Sequence, residues 1–241
     1  MNNIYFFWWQ GIENAPDVIK ICYRSLLKNY DSSSQKINLI DSTNFKKFVD
    51  IPEYIIKKFN DGIISVTHLS DLIRFMILYK NGGLWADASI FFTKPIDNKI
   101  FEKDFFTMKN PDAKENDITS RWECFLIGGK KEYSLFKILI DFWLSYWKNE
   151  EHLITYLLTE HIFYIAYKEN YKIKEDFDKA EPFYYPVDYF QKMLNKKFDK
   201  KIYNDICLNE KFLKLSYKFE LNSYSGNDLT FYGKLKEEFN V

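Results

Sequence analysis

Apolar positions along the 241-residue chain alternate between short solid runs and helical stripes. Asn3 to Trp9 (NIYFFWW) has the apolar, aromatic character of a buried strand. Pro16 and Asp17 then open a helix to about Tyr30, with Val18, Ile21, Cys22 and Leu26 at helical spacing. Lys36 to Ile40 (KINLI) forms a second strand, and strand, helix, strand begins a parallel α/β sheet. Two short helices follow, after Ser42 and after Pro52. From Thr67 to Lys80 one stripe collects Leu69, Leu72, Ile73, Met76 and Ile77, and Asn81, Gly82 and Gly83 supply a left-handed stop. Leu84 to Phe92 is then one strand in which Trp85, Asp87 and Ser89 alternate with Leu84, Ala86 and Ala88, so that Asp87 and Ser89 point the same way. DFFTM and WECFLIGG are further strands. Ser134 to Trp147 is a buried helix, and about Glu151 to Tyr167 a second one, which carries His152 and His161.

Composition narrows the function. Lys and Arg number 34 against 34 Asp and Glu, a balance that excludes a phosphate-backbone binder. With 46% hydrophobic residues and no repeat or linker, residues 1–241 are expected to fold as one unit. Cys22, Cys124 and Cys207 are widely spaced, without a CxxC pair, which fits buried thiols in a reducing, cytoplasmic setting. The apolar run at the N-terminus stops at Gln10 and has no basic segment before it, unlike a signal peptide. Aromatic residues make up 20% of the chain, which suits stacking on sugars or bases and equally reflects a general bias towards Lys, Asn, Ile, Phe and Tyr.

No GxGxxG, GxxxxGK[ST] or GxSxG motif is present. The chemistry therefore falls to the helix, Gly-Gly, strand unit. Asp71 and Arg74 share a helix face, and Asp87 returns towards that face after a tight turn. Two anions and one cation in this arrangement suit a sugar nucleotide. Asp87 would hold a divalent ion that offsets the diphosphate, Arg74 would fork onto a phosphate or sugar oxygen, and Asp71 would accept from sugar hydroxyls. Oxygen ligands favour Mn²⁺ or Mg²⁺ over zinc. Spacing alone is also met by a plain Asp71 to Arg74 helix ion pair.

The segment LSDLIRFMILYKNGGLWADASIFFTKPI resembles the core of the bacterial capsular polysaccharide synthesis proteins, a branch of the DxD-type glycosyltransferases similar to glycosyltransferase family 32. Those in turn resemble yeast-type mannosyltransferases and the clostridial glucosylating toxins. FFWWQGIENAPDVIKICYRSL extends the likeness, as do WECFLIGGKKEYSLFKILIDFW and LKLSYKF more faintly. The resemblance implies a GT-A fold: an α/β, Rossmann-like, mostly parallel sheet flanked by helices, with a helical C-terminal half. Residues 1–108 would bind the donor, and 109–241 would form the acceptor side and a closing segment. It further implies a UDP-sugar donor, a divalent cation and a retaining transfer of a hexose to a capsular or surface glycan.

Carried over by position, Asp71 and Arg74 match the SDxxR pair, and Asp87 the first carboxylate of DxD. Trp9 matches a tryptophan that stacks on uracil, with Trp8 the alternative and Gly11 beside it. Ser89 departs from DxD: its neutral hydroxyl is a poorer ligand than a carboxylate, which leaves either a metal completed by phosphates and water or a non-catalytic donor-binding subunit. Capsule-type relatives often carry a small hydroxyl residue there. Lys214 or Lys218 would approach the diphosphate, and Ser216, Asn222 or Ser223 the metal. Glu123 and Asp141 are the carboxylates expected near the acceptor. A third reading is an effector that glycosylates a protein. Finally, residues 189–203 set Phe190, Leu194, Phe198 and Ile202 four apart among lysines, a stripe that could rest on an anionic membrane face as an alternative to an ordinary surface helix.

Overall fold

The computed structural model describes all of residues 1–241. Strand β1 (Asn2–Phe7) leads through a single 3-10 turn into α1 (Asp17–Asn29) and then β2 (Gln35–Ile40). The expected helix after Ser42 is only a 3-10 turn at Phe45–Lys47, and α2 follows at Glu53–Asn60. Next come α3 (Val66–Asn81), β3 (Gly83–Asp87) and β4 (Ile90–Phe92), then β5 (Phe105–Lys109) and β6 (Trp122–Gly129). The remainder is mainly helical: α4 (Ser134–Asn149), α5 (Leu158–Glu169), α6 (Tyr171–Asp178), the short β7 (Glu181–Pro182), α7 (Tyr189–Met193) and α8 (Lys200–Asn209). Strand β8 (Phe212–Lys214), the hairpin of β9 (Tyr224–Ser225) and β10 (Asp228–Leu229), and α9 (Phe231–Phe239) complete the chain.

The central sheet has the order β2-β1-β3-β6-β5-β7. β2, β1 and β3 are parallel neighbours, β6 runs against both β3 and β5, and β7 is parallel to β5, so only β6 is reversed. Alternate residues of β1 feed opposite faces of this sheet. Tyr5 and Phe7 join Leu72, Trp85 and the α4 residues Phe136 and Trp143 in one core. Ile4 and Phe6 join Ile19 and Cys22 of α1 and Leu235 of α9 in the other. A sheet buried on both faces explains why β1 reads as a solid apolar run.

Ser65 caps α3 by accepting from the His68 backbone N–H at 3.3 Å. At the other end the chain reverses through two glycines. Gly83 has φ +108°, and a Cβ there would lie 2.5 Å from the Asn3 carbonyl oxygen. Only glycine lets β3 close on β1 at this point, and that closure brings Asp87 beside Phe7 in the parallel register.

Three further expectations are corrected. Leu84 to Phe92 is not one strand: it breaks after Asp87, and β4 leaves the central sheet to pair with β8. The helix expected from Glu151 begins only at Leu158, so His152 lies outside it. Residues 189–203 are not one amphipathic helix either. They divide between α7 and the start of α8, with Lys197 bridged to Thr230 between them, and Phe190 and Leu194 are buried in the core. Half of the stripe is therefore spent on internal packing, while Ile202 stays 38% exposed. No helix is long and apolar enough to cross a membrane.

Candidate active site

The carboxyl ends of β1 and β3 open onto a cavity of about 480 Å³. Crevices outside the carboxyl ends of parallel strands are where open α/β sheets bind ligands, and the volume suits a small organic ligand. Trp8 and Trp9 follow β1, Asp87 ends β3, and Ser89 sits in the turn before β4; all four line the cavity. Pairing of β4 with β8 brings the far end of the chain to the same place: Ile90 lies opposite Lys214, and the Leu215 N–H donates to the Ser89 carbonyl at 2.8 Å. Lys214, Ser216 and Lys218 form the opposite wall.

Asp87 is the hub of the charges. Its Oδ1 accepts from Arg74 Nη2 at 2.8 Å and from Trp85 Nε1 at 2.9 Å, while its Oδ2 accepts from Lys214 Nζ at 3.0 Å. Arg74 donates its other terminal nitrogen to Asp71 Oδ1 at 2.8 Å and lies over the Trp85 ring, 5.2 Å from the centroid. Burial pushes the Asp87 carboxyl up, but Lys214 and Arg74 outweigh it and hold the group below the usual carboxylate range. Asp71 has only Arg74 to oppose its burial and the Asp87 charge, and its carboxyl rises to about 6. The Arg74 guanidinium, 3% exposed, is kept protonated against its own burial by the two carboxylates.

The tryptophans divide the work unevenly. Trp9 packs on Phe7, Phe45 and Phe59 with centroids 6.2, 5.3 and 5.0 Å away, so its ring is both core and cavity wall. Trp8 meets the Tyr217 ring edge-on at 5.1 Å, and its buried Nε1 has no partner. Asp71 stands behind Arg74 and does not line the cavity, and neither does Gly11, which turns the chain at φ +80°.

Other expected residues lie elsewhere. Asp141 is on the outer surface of α4, paired with Lys137, and has no part in the site. Asn222 and Ser223 are bound into the C-terminal hairpin through their carbonyl oxygens, which accept from the Thr230 hydroxyl and the Thr230 N–H, and they do not line the cavity. Glu123 on β6 is also outside the lining, but burial and the nearby Glu160 push its carboxyl up to about 8. A carboxyl raised on folding makes the native state bind its proton more tightly, so its contribution to stability falls as pH rises from 4.5 to about 8. Glu123→Gln is expected to remove that decline and to melt higher than the wild type at pH 8.5. Equal pH dependence in the two proteins would contradict it. The Cys124 thiol, pushed up to about 12 mainly by burial, stays protonated and inert.

Several lining residues are not among those expected to line the site. Thr67 and Ser70 lie on the first turns of α3, and Tyr156, 64% exposed, reaches the cavity from the segment before α5. Gln191, Tyr217 and Phe219 join from the C-terminal third. Ser70 is the first residue of SDLIR, and Tyr217 and Phe219 fall within LKLSYKF, whereas Thr67, Tyr156 and Gln191 belong to no motif.

The donor set can be tested against a divalent ion. No cluster of three or more His, Cys, Asp or Glu side chains gathers anywhere in the molecule. The cavity offers two carboxylates, Asp87 and Asp188, and the Ser89 hydroxyl, hard oxygen donors suited to Mn²⁺ or Mg²⁺; Asp188 is paired with Lys192 at 2.6 Å, which leaves Asp87 and Ser89 as the pair the turn after β3 sets together. They fit an ion that brings most of its oxygens with a phosphate ligand and water, and do not fit one held by protein alone.

The family model for capsular polysaccharide synthesis proteins matches residues 1–235. An O-glycosyltransferase of Annulohypoxylon truncatum is 26% identical over 108 residues, 42% of this chain, and the match spans about a quarter (26%) of that relative's length. Among solved structures, the apo-form glycosyltransferase GlyE of Streptococcus pneumoniae superposes with TM-score 0.50 at 11% identity, covering 100% of this chain and 60% of that one. The PaToxG glycosyltransferase gives TM-score 0.48 at 18% identity, covering 72% of this chain and 73% of that one. The likeness to GlyE, together with the strand order and the cavity at the carboxyl ends of β1 and β3, gives the GT-A glycosyltransferase fold. With the family model matched over nearly its whole length, the chain belongs to the capsular polysaccharide synthesis protein family.

Proposed function

We propose that the cavity binds a nucleotide-diphosphate sugar, with UDP as the nucleotide, and that the chain transfers its hexose with retention to a capsular or related surface glycan. The observation that carries this reading is the Asp87, Arg74, Lys214 cluster at the carboxyl end of β3, with two tryptophans beside it at the end of β1. A diphosphate leaving group needs positive charge placed before the reaction begins. Lys214 and Lys218 supply it from the C-terminal wall, and the indole faces of Trp8 and Trp9 offer stacking surface to a base. When bound, Mn²⁺ or Mg²⁺ would add Lewis-acid stabilisation of the departing diphosphate, held on the protein side by Asp87 and Ser89.

Arg74 has a second task beside the one its spacing suggests. Its Nη1 donates to Asp71 and its Nη2 to Asp87, so it fixes the Asp87 carboxylate in place, and with its Nε unpartnered its donors are not exhausted. The two carboxylates of the cavity, Asp87 and Asp188, are each paired with a lysine, and the leaving phosphate is the natural recipient of the acceptor proton. The test is release of UDP from a panel of UDP-sugars by the purified protein with Mn²⁺. At least one sugar is expected to be hydrolysed slowly and to raise the melting temperature through preferential binding to the native state. Neither hydrolysis nor a thermal shift with any member of the panel would contradict the reading.

A further inference from the structure

The cation position on Asp87 is filled by the protein itself. We propose that in the donor-free protein Lys214 Nζ occupies the side of Asp87 that faces the cavity, so that a divalent ion enters only together with the diphosphate that draws Lys214 away. This inference rests on the nucleotide-sugar reading above and adds an order of binding to it.

Three observations converge. First, the two oxygens of Asp87 are used differently. Oδ1 is held by Arg74 at 2.8 Å and Trp85 at 2.9 Å, whereas Oδ2 has the single partner Lys214 at 3.0 Å. Arg74 is 4% exposed at its side chain and cannot be displaced cheaply, but Lys214 is 26% exposed and Asp87 28%. Oδ2 is therefore the oxygen that an incoming ion would meet, and Lys214 is what it would meet first.

Second, the four charges of the cluster cancel: Asp71 and Asp87 against Arg74 and Lys214. A dication arriving alone would leave this partly buried group with two surplus positive charges, and a diphosphate alone would leave it with about two negative ones; each is opposed by the poor solvation of charge there. Arriving together, they leave it balanced.

Third, the lysine can move without disturbing the fold. Its backbone is pinned at the end of β8, opposite Ile90 and next to the Leu215 to Ser89 hydrogen bond. The side chain alone has to swing. Its Nζ also lies 4.5 Å from the Phe125 ring centroid, a second partner for the charge beside Asp87. The chain beyond it, Ser216 to Phe219, lines the same cavity, so a diphosphate between the walls has both Lys214 and Lys218 within the site.

The experiment is titration of Mn²⁺, followed by electron paramagnetic resonance of the free ion, into wild type, Lys214→Met and Lys214→Arg, each with and without saturating UDP. The wild type is expected to bind Mn²⁺ at least about tenfold more tightly with UDP than without, because the two enter as a balanced set. Without UDP, Lys214→Met is expected to bind Mn²⁺ at least about tenfold more tightly than the wild type, because a like charge has been removed from the ligand. Lys214→Arg keeps the charge and should behave as the wild type, which separates the charge from any change in packing. Mn²⁺ binding by Lys214→Met no tighter than by the wild type would overturn the inference while leaving nucleotide binding intact. UDP that binds none of the three proteins in the presence of Mn²⁺ would overturn the nucleotide reading and this inference with it.

Discussion

Asp87→Asn is expected to lower UDP release from a nucleotide sugar by at least about 10²-fold, the scale seen when one element of a preorganised electrostatic site is removed. Asparagine keeps the size and an oxygen that can still accept from Trp85 and Arg74, so the cavity wall survives. What disappears is the charge that gathers Lys214, Arg74 and any divalent ion in one place. The substitution also has a stability signature, because Asp87 is a three-donor hub and not an isolated cleft carboxylate. Lys214 and Arg74 hold its folded carboxyl below its usual 3.8 despite burial, so its contribution is present above that pH and is lost as pH falls through the folded value. Melting temperatures of wild type and variant should therefore differ at pH 7 and converge under strong acid. Undiminished turnover with the charge removed would contradict the assignment.

Arg74→Met is expected to cost the most stability of any single change in the site, about 3–5 kcal/mol, because it leaves two carboxylates in a buried setting without their shared cation. Arg74 is 3% exposed and bridges α3 to β3 through Asp71 and Asp87, so the loss falls on the packing that carries the site as well as on the site. Urea unfolding measures it directly. Adding Asp71→Asn to Arg74→Met should recover part of the loss, since Asp71 then no longer needs a partner. A loss below about 1 kcal/mol in the single variant would show that the ion pairs are surface-like in strength.

The part of the site that is local in sequence was legible there. The α3, Gly-Gly, β3 unit follows from a helical stripe, a glycine stop and a strand, and its short loop forces Asp71, Arg74 and Asp87 into contact. The β1 run and the mostly parallel sheet follow from apolar patterning in the same way. What stayed hidden depends on chain-distant partners. The break after Asp87 is imposed by β8, which captures β4 across more than a hundred residues, and periodicity carries no sign of it. The same pairing sets Lys214 on Asp87. Its approach to the diphosphate was expected from resemblance, but its ion pair with Asp87 was not.

The late start of α5 has a similar cause. The Tyr146 hydroxyl donates to the His152 carbonyl at 2.7 Å and accepts from the Ile154 N–H at 2.9 Å, which ties residues 152–154 to α4 in a non-helical path. Residues 189–203 show the opposite failure. Four-residue spacing suggested one amphipathic helix, yet Asp199 accepts from the Lys201 and Ile202 N–H groups and starts α8 afresh. That cap was visible in FDKK and is a stronger local signal than the stripe.

Calorimetric titration of UDP in the presence of Mn²⁺ into the wild type and Asp87→Asn tests the account most directly. Saturable one-to-one binding to the wild type, weakened at least about tenfold in the variant, is the result that the charge cluster predicts. Absence of binding to the wild type, or equal affinity in both proteins, would contradict it.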